Sequence, residues 1–345
     1  MTNVYLVRHA EAEGNLYRIA HGQYDGLITD RGYQQLHVLK KRFDDIPIDA
    51  VYSSDLFRAR TTARAIYEPK GLTLHLEPAF REIHMGCWEG RPWQELNVAY
   101  EEQMLYFNRQ LDKFHVEGSE TAQQVLDRYI PALKRVAAEN DGKTIAVFSH
   151  GAAMRMVLGT LNGLPLSEVG ETPHGDNTAV SLLKIDGDAI RVVYQNDNSH
   201  QVAAGLSTFA KQSWWRDKRM MSGGQYYKDM DAATAARFGV PAEGKGIAVW
   251  FEDRAVGALT LLPDMEKDAG WIGFYYLEPT MRGRNYGIPP LGQAVQFYRA
   301  RGIDRLRLRC VDEQTRGFFA HYGFYPLSGD IMEKYIGYTP REIVW

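Results

Sequence analysis

Two cations, two imidazoles and one carboxyl recur at equivalent places in the first half of this sequence. The apolar run Val4-Tyr5-Leu6-Val7 ends abruptly in Arg8-His9. Arg58 follows the run AVYSS (50–54), Glu82 follows LTLHLEP (72–78), and His150 closes KTIAVFSH (143–150). In an open α/β sheet, ligands bind beyond the carboxyl ends of the strands. Gathered on that rim, these five residues suit a dianionic phosphoryl group. Arginine's planar fork bonds two phosphate oxygens at once, and free N–H groups at a helix beginning after His150 would add to it. A neutral imidazole in that field is a nucleophile toward phosphorus and forms a covalent intermediate. A second, protonated imidazole can hold an equatorial oxygen in the loose transition state. A carboxylic acid across the site can protonate the leaving oxygen and later activate water. A metal-dependent hydrolase is the rival class, but none of the 10 histidines sits in an HExxH or HxH pattern. Two arginines would also repel a cation, so no metal is expected.

Such a rim requires strands alternating with helices, and the sequence supplies them. NVYLVRH, AVYSS, LTLHLEP and KTIAVFSH read as strands. TDRGYQQLHVLKKRF reads as a helix capped by Thr29, and DLFRARTTARAIYE as one that Asp55 could cap. SETAQQVLDRYIPALKRVAAEN reads as a long helix despite Pro131. TAVSLLKID and AIRVVYQN form a last pair of strands around Asp186-Gly187-Asp188. The alternation predicts an α/β fold with a mostly parallel sheet. The segment 92–118, rich in Trp, Tyr and Phe, is expected to form a lid over the leaving group, its rings mostly lid core.

Beyond His200 the texture changes. GIAVWFEDRAVGALTLLP reads as a hairpin turning at Glu252–Arg254 and GWIGFYYLEP as another strand. A glycine-bearing turn, MRGRNYG, then precedes a helix from about Pro289 to Ala300 and the strand DRLRLRCV. The chain has 345 residues, which also favours two domains, expected at 1–205 and 206–345. Trp214-Trp215 is expected to pack between them.

A net charge of −3 gives no global basic balance for nucleic acid, and the cluster Arg299–Arg309 reads as a helix end and a strand with solvated edges. Cys87 and Cys310 offer neither a disulfide framework nor metal-ligand spacing, which suits a reducing compartment. No apolar run approaches the roughly 20 residues that span a bilayer. The first strand begins by Asn3 or Val4, leaving no room for a signal peptide, so a cytoplasmic protein is expected.

LVRHAEAEGN resembles the signature of the histidine phosphatase superfamily, the phosphoglycerate mutase-like proteins, with Ala10 in place of the usual glycine. The resemblance covers roughly residues 1–205. It continues through HGQYDGLITDRGYQQ, VYSSDLFRARTTA, REIHMGCWEG and VFSHGAAMR, and through EGSET with Ser119 and Glu120 exchanged. It implies a three-layer α/β/α domain in which His9 accepts the phosphoryl group and Glu82 donates the proton. Arg8, Arg58 and His150 would complete the phosphate pocket, and Asn15, Gln23 and Thr29 would lie at substrate-binding positions. After Glu82 the family's mutases usually continue Arg-His-Tyr-Gly; here the chain has Ile83-His84-Met85-Gly86, and GCWEGRPWQEL is similar to the phosphatase branch. The expected activity is metal-independent hydrolysis of a small phosphorylated metabolite.

YLEPTMRGRNYGIPPLGQAVQFY resembles the acyl-CoA-binding turn of the GNAT acetyltransferases, and RCVDEQTRGFFAHYGF their later segment. That resemblance, over about 245–326, implies a smaller α/β domain whose Arg282, Gly283, Arg284, Asn285 and Gly287 hold the pyrophosphate of acetyl-CoA, with an amine as acceptor. Asn285 stands where the first loop glycine is expected, and Pro289 and Pro290 remove two N–H donors. Phe319 occupies the position of the tyrosine that often serves as general acid; Tyr322 or Tyr325 are the nearby substitutes. Two alternatives stay open: a domain that only binds CoA, and a chain that is mainly an N-acetyltransferase whose first domain is a mutase or a phosphate-binding module.

Overall fold

The computed structural model describes residues 1–209 and 224–345; Trp214 and Trp215 lie outside the described residues. The first sheet comprises β1 (Thr2–Arg8), β2 (Ala50–Ser53), β3 (Leu74–Leu76), β4 (Thr144–Ser149), β5 (Val180–Asp186) and β6 (Ala189–Asp197), in the order β3-β2-β4-β1-β5-β6. The four strands from β3 to β1 are parallel, and β5 and β6 close one side antiparallel. The third strand is shorter than the sequence suggests.

Helices α1 (Glu13–Tyr17), α2 (Asp30–Phe43), α3 (Phe57–Tyr67), α4 (Trp93–Ala99), α5 (Glu101–Arg109), α6 (Ala122–Glu139), α7 (Gly151–Leu161) and α8 (Ser199–Ala203) accompany this sheet. Strand residues alternate between its two faces. Val4, Leu6, Ile145 and Val147 pack with Tyr129 and Leu133 of α6 and Val157 of α7. Val7, Ala146 and Phe148 pack with Leu36 of α2 and Ala63 of α3. This is the three-layer arrangement, with the sheet buried on both sides. Pro131 lies inside α6 as expected. It is exposed, so its missing N–H costs no buried bond.

Register carries the chemistry. Arg8 pairs with Ser149 across β1 and β4, so the residues after them, His9 and His150, emerge side by side. Ser53 pairs with Phe148, which brings Ser54 to the same rim.

The second sheet runs β12-β13-β11-β10-β9-β8-β7. Its strands are β7 (Gln225–Asp229), β8 (Lys245–Phe251), β9 (Arg254–Leu261), β10 (Gly270–Leu277), β11 (Arg305–Arg309), β12 (Tyr325–Ser328) and β13 (Ile331–Tyr335). With them go α9 (Ala232–Phe238), α10 (Pro289–Arg299) and α11 (Glu313–His321). β10 pairs in parallel with β11 only over Gly270–Ile272, then continues to Leu277 against β9.

The two units share a core. Tyr17 and Ile19, from the first, are buried among Ile288, Leu291 and Val295 of the second. A Cβ on Gly292 of α10 would come within 2.6 Å of the Tyr17 Cβ, so that helix contact requires glycine. The chain's last residues return to the first unit: Arg341 pairs with Asp30 at 2.5 Å, and the Trp345 indole donates to Glu68 at 2.8 Å. No helix among the described residues is long and apolar enough to cross a membrane.

Candidate active site

His9 lies just past the end of β1, buried to 1% exposure. Its Nδ1 is 2.7 Å from the Ala10 carbonyl oxygen, which can only accept. Nδ1 therefore carries the hydrogen and Nε2 keeps its lone pair. Burial holds the pKa of His9 well below the ordinary histidine value, and Arg58, Arg8 and His21 push the same way. The ring is neutral at neutral pH. His150 lies 5.3 Å away between ring centroids, with Nε2 at 2.8 Å from the Ser54 hydroxyl. Burial, Arg58 and His9 hold its pKa down too.

Arg58 is fully buried and donates to the carbonyls of Tyr24 (3.0 Å), His21 (3.0 Å) and Gly22 (2.5 Å). The α3 N-terminus that presents it is capped from a distance: Asp25, not Asp55, accepts from the Phe57 N–H at 2.8 Å. Asp55 is drawn instead into an ion pair with Arg81. Arg8 donates to the Gly175 carbonyl at 2.5 Å, and its guanidinium lies within 3.4 Å of where a Cβ on Gly151 would stand. Among the described residues, four buried nitrogens here lack a partner: Nε of Arg8, Nε of Arg58, Nδ1 of His150 and Nδ1 of His21. Buried polar atoms are normally satisfied. Unpaired donors beside two guanidinium groups and a nucleophilic ring make a cavity for an anion.

Glu82 corrects one expectation. The first-turn N–H groups of α7 do not face an open pocket: Ala152 and Ala153 donate to the Glu82 carboxylate at 2.9 and 2.6 Å, and Ile83 adds a bond at 3.1 Å. The carboxylate is thus the helix N-terminal cap, on the rim beside His150. Asn15, Gln23 and Thr29 lie in the segment that wraps this rim. Asn15 Oδ1 accepts from Ala12 N–H at 3.1 Å and from the Asn177 amide at 3.5 Å. The Gln23 amide donates to the Glu82 carbonyl at 3.2 Å. Thr29 is farthest from an open role. Its hydroxyl donates to Glu11 at 2.7 Å and accepts from Gly32 N–H at 3.0 Å as the cap of α2. The aromatic residues of 92–118 largely pack on one another, with Trp93 against Phe107 at 5.7 Å and Phe107 against Phe114 at 5.1 Å.

In the second unit, Arg282, Gly283, Arg284 and Asn285 form an exposed turn leading to Gly287 and the start of α10. Gly283 and Asn285 have φ of +70° and +60°, the left-handed region that glycine and asparagine tolerate best. Pro289 and Pro290 open α10 as expected. Phe319 is 2% exposed inside an aromatic cluster with Tyr275, Phe318 and Phe324. The Tyr325 hydroxyl bonds Glu333 at 2.5 Å, and Tyr322 has charged Glu11 and Arg31 of the first unit nearby.

Comparison with known proteins gives the family. The family model "Histidine phosphatase superfamily (branch 1)" matches residues 4–198, more than half of the chain. The chain belongs to the histidine phosphatase superfamily. The "Acetyltransferase (GNAT) family" model matches residues 209–324. The chain is 33% identical over 165 residues to a "Probable phosphoglycerate mutase GpmB" of Yersinia pestis (strain Pestoides F), covering 48% of this chain and 77% of that protein. A protein of the same description from Erwinia tasmaniensis is 32% identical over the same length. Among solved structures, Bacillus stearothermophilus YhfR superposes with a TM-score of 0.56 at 26% identity, over 58% of this chain and 99% of that one. A mycobacterial glucosyl-3-phosphoglycerate phosphatase complexed with VO3 superposes at 0.53 and 20% identity, over 57% and 99%, a likeness of fold.

Three residues of this superfamily domain escape the sequence reading. His21 presents a third imidazole, its ring 5.7 Å from that of His9, where Gly14 has no room for a Cβ. Arg128 on α6 donates to the carbonyls of Ala79, Arg81 and Glu82 and pairs with Glu120 at 2.7 Å, clamping the acid segment. Glu89 accepts from the Gln23, Tyr24 and Met85 N–H groups and fixes the wrapping segment. Only His21 left a signal, a third histidine inside the motif. In the GNAT domain, the loop fits the pyrophosphate of acetyl-CoA: among the described residues the N–H groups of Gly283, Arg284 and Asn285 have no backbone acceptor. The strands β10 and β11 part just before it.

Proposed function

We propose that the first domain is a metal-independent phosphatase of a small phosphate monoester, acting through a phosphohistidine on His9. The observation that carries this reading is the set of unpaired buried donors around a ring whose Nε2 lone pair is free of hydrogen. In the first step the Nε2 lone pair forms the N–P bond as the P–O bond to the leaving group breaks. The transferring oxygens take the donors of Arg8, Arg58, His150 and His21. Glu82 takes a proton from the incoming monoester anion and gives it to the leaving oxygen, and the proton it later takes from water leaves with the product phosphate. In the second step it takes a proton from water, whose oxygen attacks phosphorus as the N–P bond breaks. For that role one carboxyl oxygen has to leave the N–H groups of α7. Asn15 and Gln23 are assigned to substrate orientation, and Thr29 to holding the segment that carries them. Acetyl-CoA belongs to the second domain, where Arg282, Gly283, Arg284, Asn285 and Gly287 would hold its pyrophosphate and supply no chemistry of their own.

The relatives' name favours a second reading, phosphoryl transfer within a phosphoglycerate-like substrate. The test is phosphate release from a panel of phosphorylated metabolites with chelator present, for wild type and His9→Ala. One phosphate freed per ester consumed, lost by about a thousandfold or more in the variant, supports the phosphatase. Isomerised ester with no free phosphate supports the mutase. Comparable turnover in His9→Ala removes His9 as nucleophile.

A further inference from the structure

The segment Glu13–Leu27 decides where the phosphatase's second arginine sits. Three of its carbonyls, those of His21, Gly22 and Tyr24, hold the Arg58 guanidinium. It also carries the His21 ring to His9. Its neck is closed at Glu13, whose N–H donates to the Leu27 carbonyl at 2.9 Å and whose Oε2 accepts from the Leu27 N–H at 3.0 Å. That same carboxylate takes both prongs of Arg299, at 2.9 and 3.0 Å. Arg299 belongs to the other domain. The pair is nearly dry, with side chains 9% and 6% exposed, and Arg299 Nε is anchored to the Ile336 carbonyl at 2.8 Å.

Several other contacts across the interface fall on the same segment or on its neighbours. On α10, Gly292, Gln296 and Arg299 stand at i, i+4 and i+7, one face of the helix. Gly292 receives Tyr17. Gln296 donates to the Gly90 carbonyl at 2.8 Å, while Gly90 N–H donates to Ala20. Ile19 is buried in the second domain's core. The Tyr338 hydroxyl donates to the Asp25 carbonyl at 2.7 Å, and the Asp25 side chain caps the helix that bears Arg58.

We propose that Arg299 of the GNAT domain is a positioning residue of the phosphatase site, closing through Glu13 the segment that aims Arg58 and His21, so that the first domain's site is complete only with the second domain docked. This rests on the phosphatase reading above. A bidentate, desolvated guanidinium–carboxylate pair fixes direction as well as distance. A misplacement of about 1 Å at such a site costs up to about a hundredfold.

The test uses the full-length chain and two readouts: inorganic orthovanadate affinity by calorimetry, which needs no turnover, and the KM and kcat for a nitrophenyl phosphate. Arg299→Met is expected to weaken orthovanadate binding about tenfold or more and to raise KM in parallel, with kcat falling less. Arg299→Lys keeps the charge but loses the two-pronged geometry, and is expected to recover only part of the loss, between Arg299→Met and wild type. Arg301→Met, whose guanidinium lies over Phe297 on the outer side of the helix end, controls for loss of a nearby cation and should change nothing. Orthovanadate affinity and KM within twofold of wild type in Arg299→Met overturn the proposal. Should Arg299→Met fail to fold, Tyr338→Phe removes one surface hydrogen bond to the same segment. A KM raised about twofold at constant kcat then supports the proposal, and an unchanged KM overturns it. Wild type that binds no orthovanadate overturns the phosphatase reading itself and this proposal with it, an outcome distinct from variants that match a binding wild type.

Discussion

The anion sites of the two domains are built in opposite ways. Around His9, the Arg58 guanidinium and the rings of His9 and His150 are buried, Arg8 and His21 are half-buried, and among the described residues four nitrogens of this set have no partner. At the GNAT loop, the groups that would face a pyrophosphate are exposed backbone N–H, with prolines in place of two donors and Phe319 where a tyrosine acid is usual. A buried, unpaired cationic pocket is costly in the folded state and persists because an anion relieves it. An exposed turn is relaxed by water and costs little, so it carries less commitment to a ligand. The first half is built around a buried anion pocket; the GNAT half presents an exposed turn, with Phe319 packed away in an aromatic cluster.

The largest test of that contrast is Glu82→Gln. If Glu82 is the proton donor, turnover of alkyl phosphate esters falls about a hundredfold or more. Nitrophenyl phosphate, whose leaving group needs little protonation, falls about tenfold or less. Steady-state kinetics on both esters checks this, and equal losses would leave Glu82 as only the cap of α7.

Much of the first site was legible because each strand end shows itself locally: an apolar run, then a charge. The alternation of strands and helices implies a mostly parallel sheet, while the pairing of β1 with β4 that sets His9 beside His150 is read from the structure. What stayed hidden was set by partners far along the chain. Asp55 satisfies the local cap rule, yet Arg81 claims it and Asp25 caps α3 instead. Arg128 reads as a helix surface residue, but three carbonyls of the acid segment turn it inward. Arg299 opens a basic cluster that reads as solvated. Arg305, Arg307 and Arg309, on the interior strand β11, do pair with Glu333, Glu266 and Asp330, whereas Arg299 is buried against a residue 286 positions away. Periodicity describes which face is covered and carries no information about which distant charge meets it.

Acid stability gives the next test, of intermediate size. His9, His21 and His150 all have pKa values lowered well below 6.5, chiefly by burial and by Arg58. The unfolded chain therefore binds more protons than the folded one below pH 6.5, and stability drops as pH falls from there toward the folded pKa values. Each proton contributes about 1.4 kcal/mol per pH unit, so the three together approach about 4 kcal/mol per unit. Thermal unfolding between pH 7 and 5 should show the loss, and inorganic phosphate should reduce it by occupying the pocket. A flat profile over that range would mean the rings are protonated in the fold, against the neutral site.

The smallest effect is expected at Phe319→Tyr, which asks whether the GNAT domain lacks only its acid. Phe319 is 2% exposed, with Tyr275 at 5.7 Å and Phe324 at 5.3 Å between ring centroids. A hydroxyl added to that ring enters an aromatic cluster, and a buried hydroxyl without a partner costs about 1–3 kcal/mol. The variant should melt a few degrees lower, bind acetyl-CoA as wild type does in calorimetry, and gain no acetyl transfer to amines. Transfer appearing in Phe319→Tyr would instead mean that the ring's edge reaches the thiolate position. The two sites would then differ by one oxygen atom and not in how they are built.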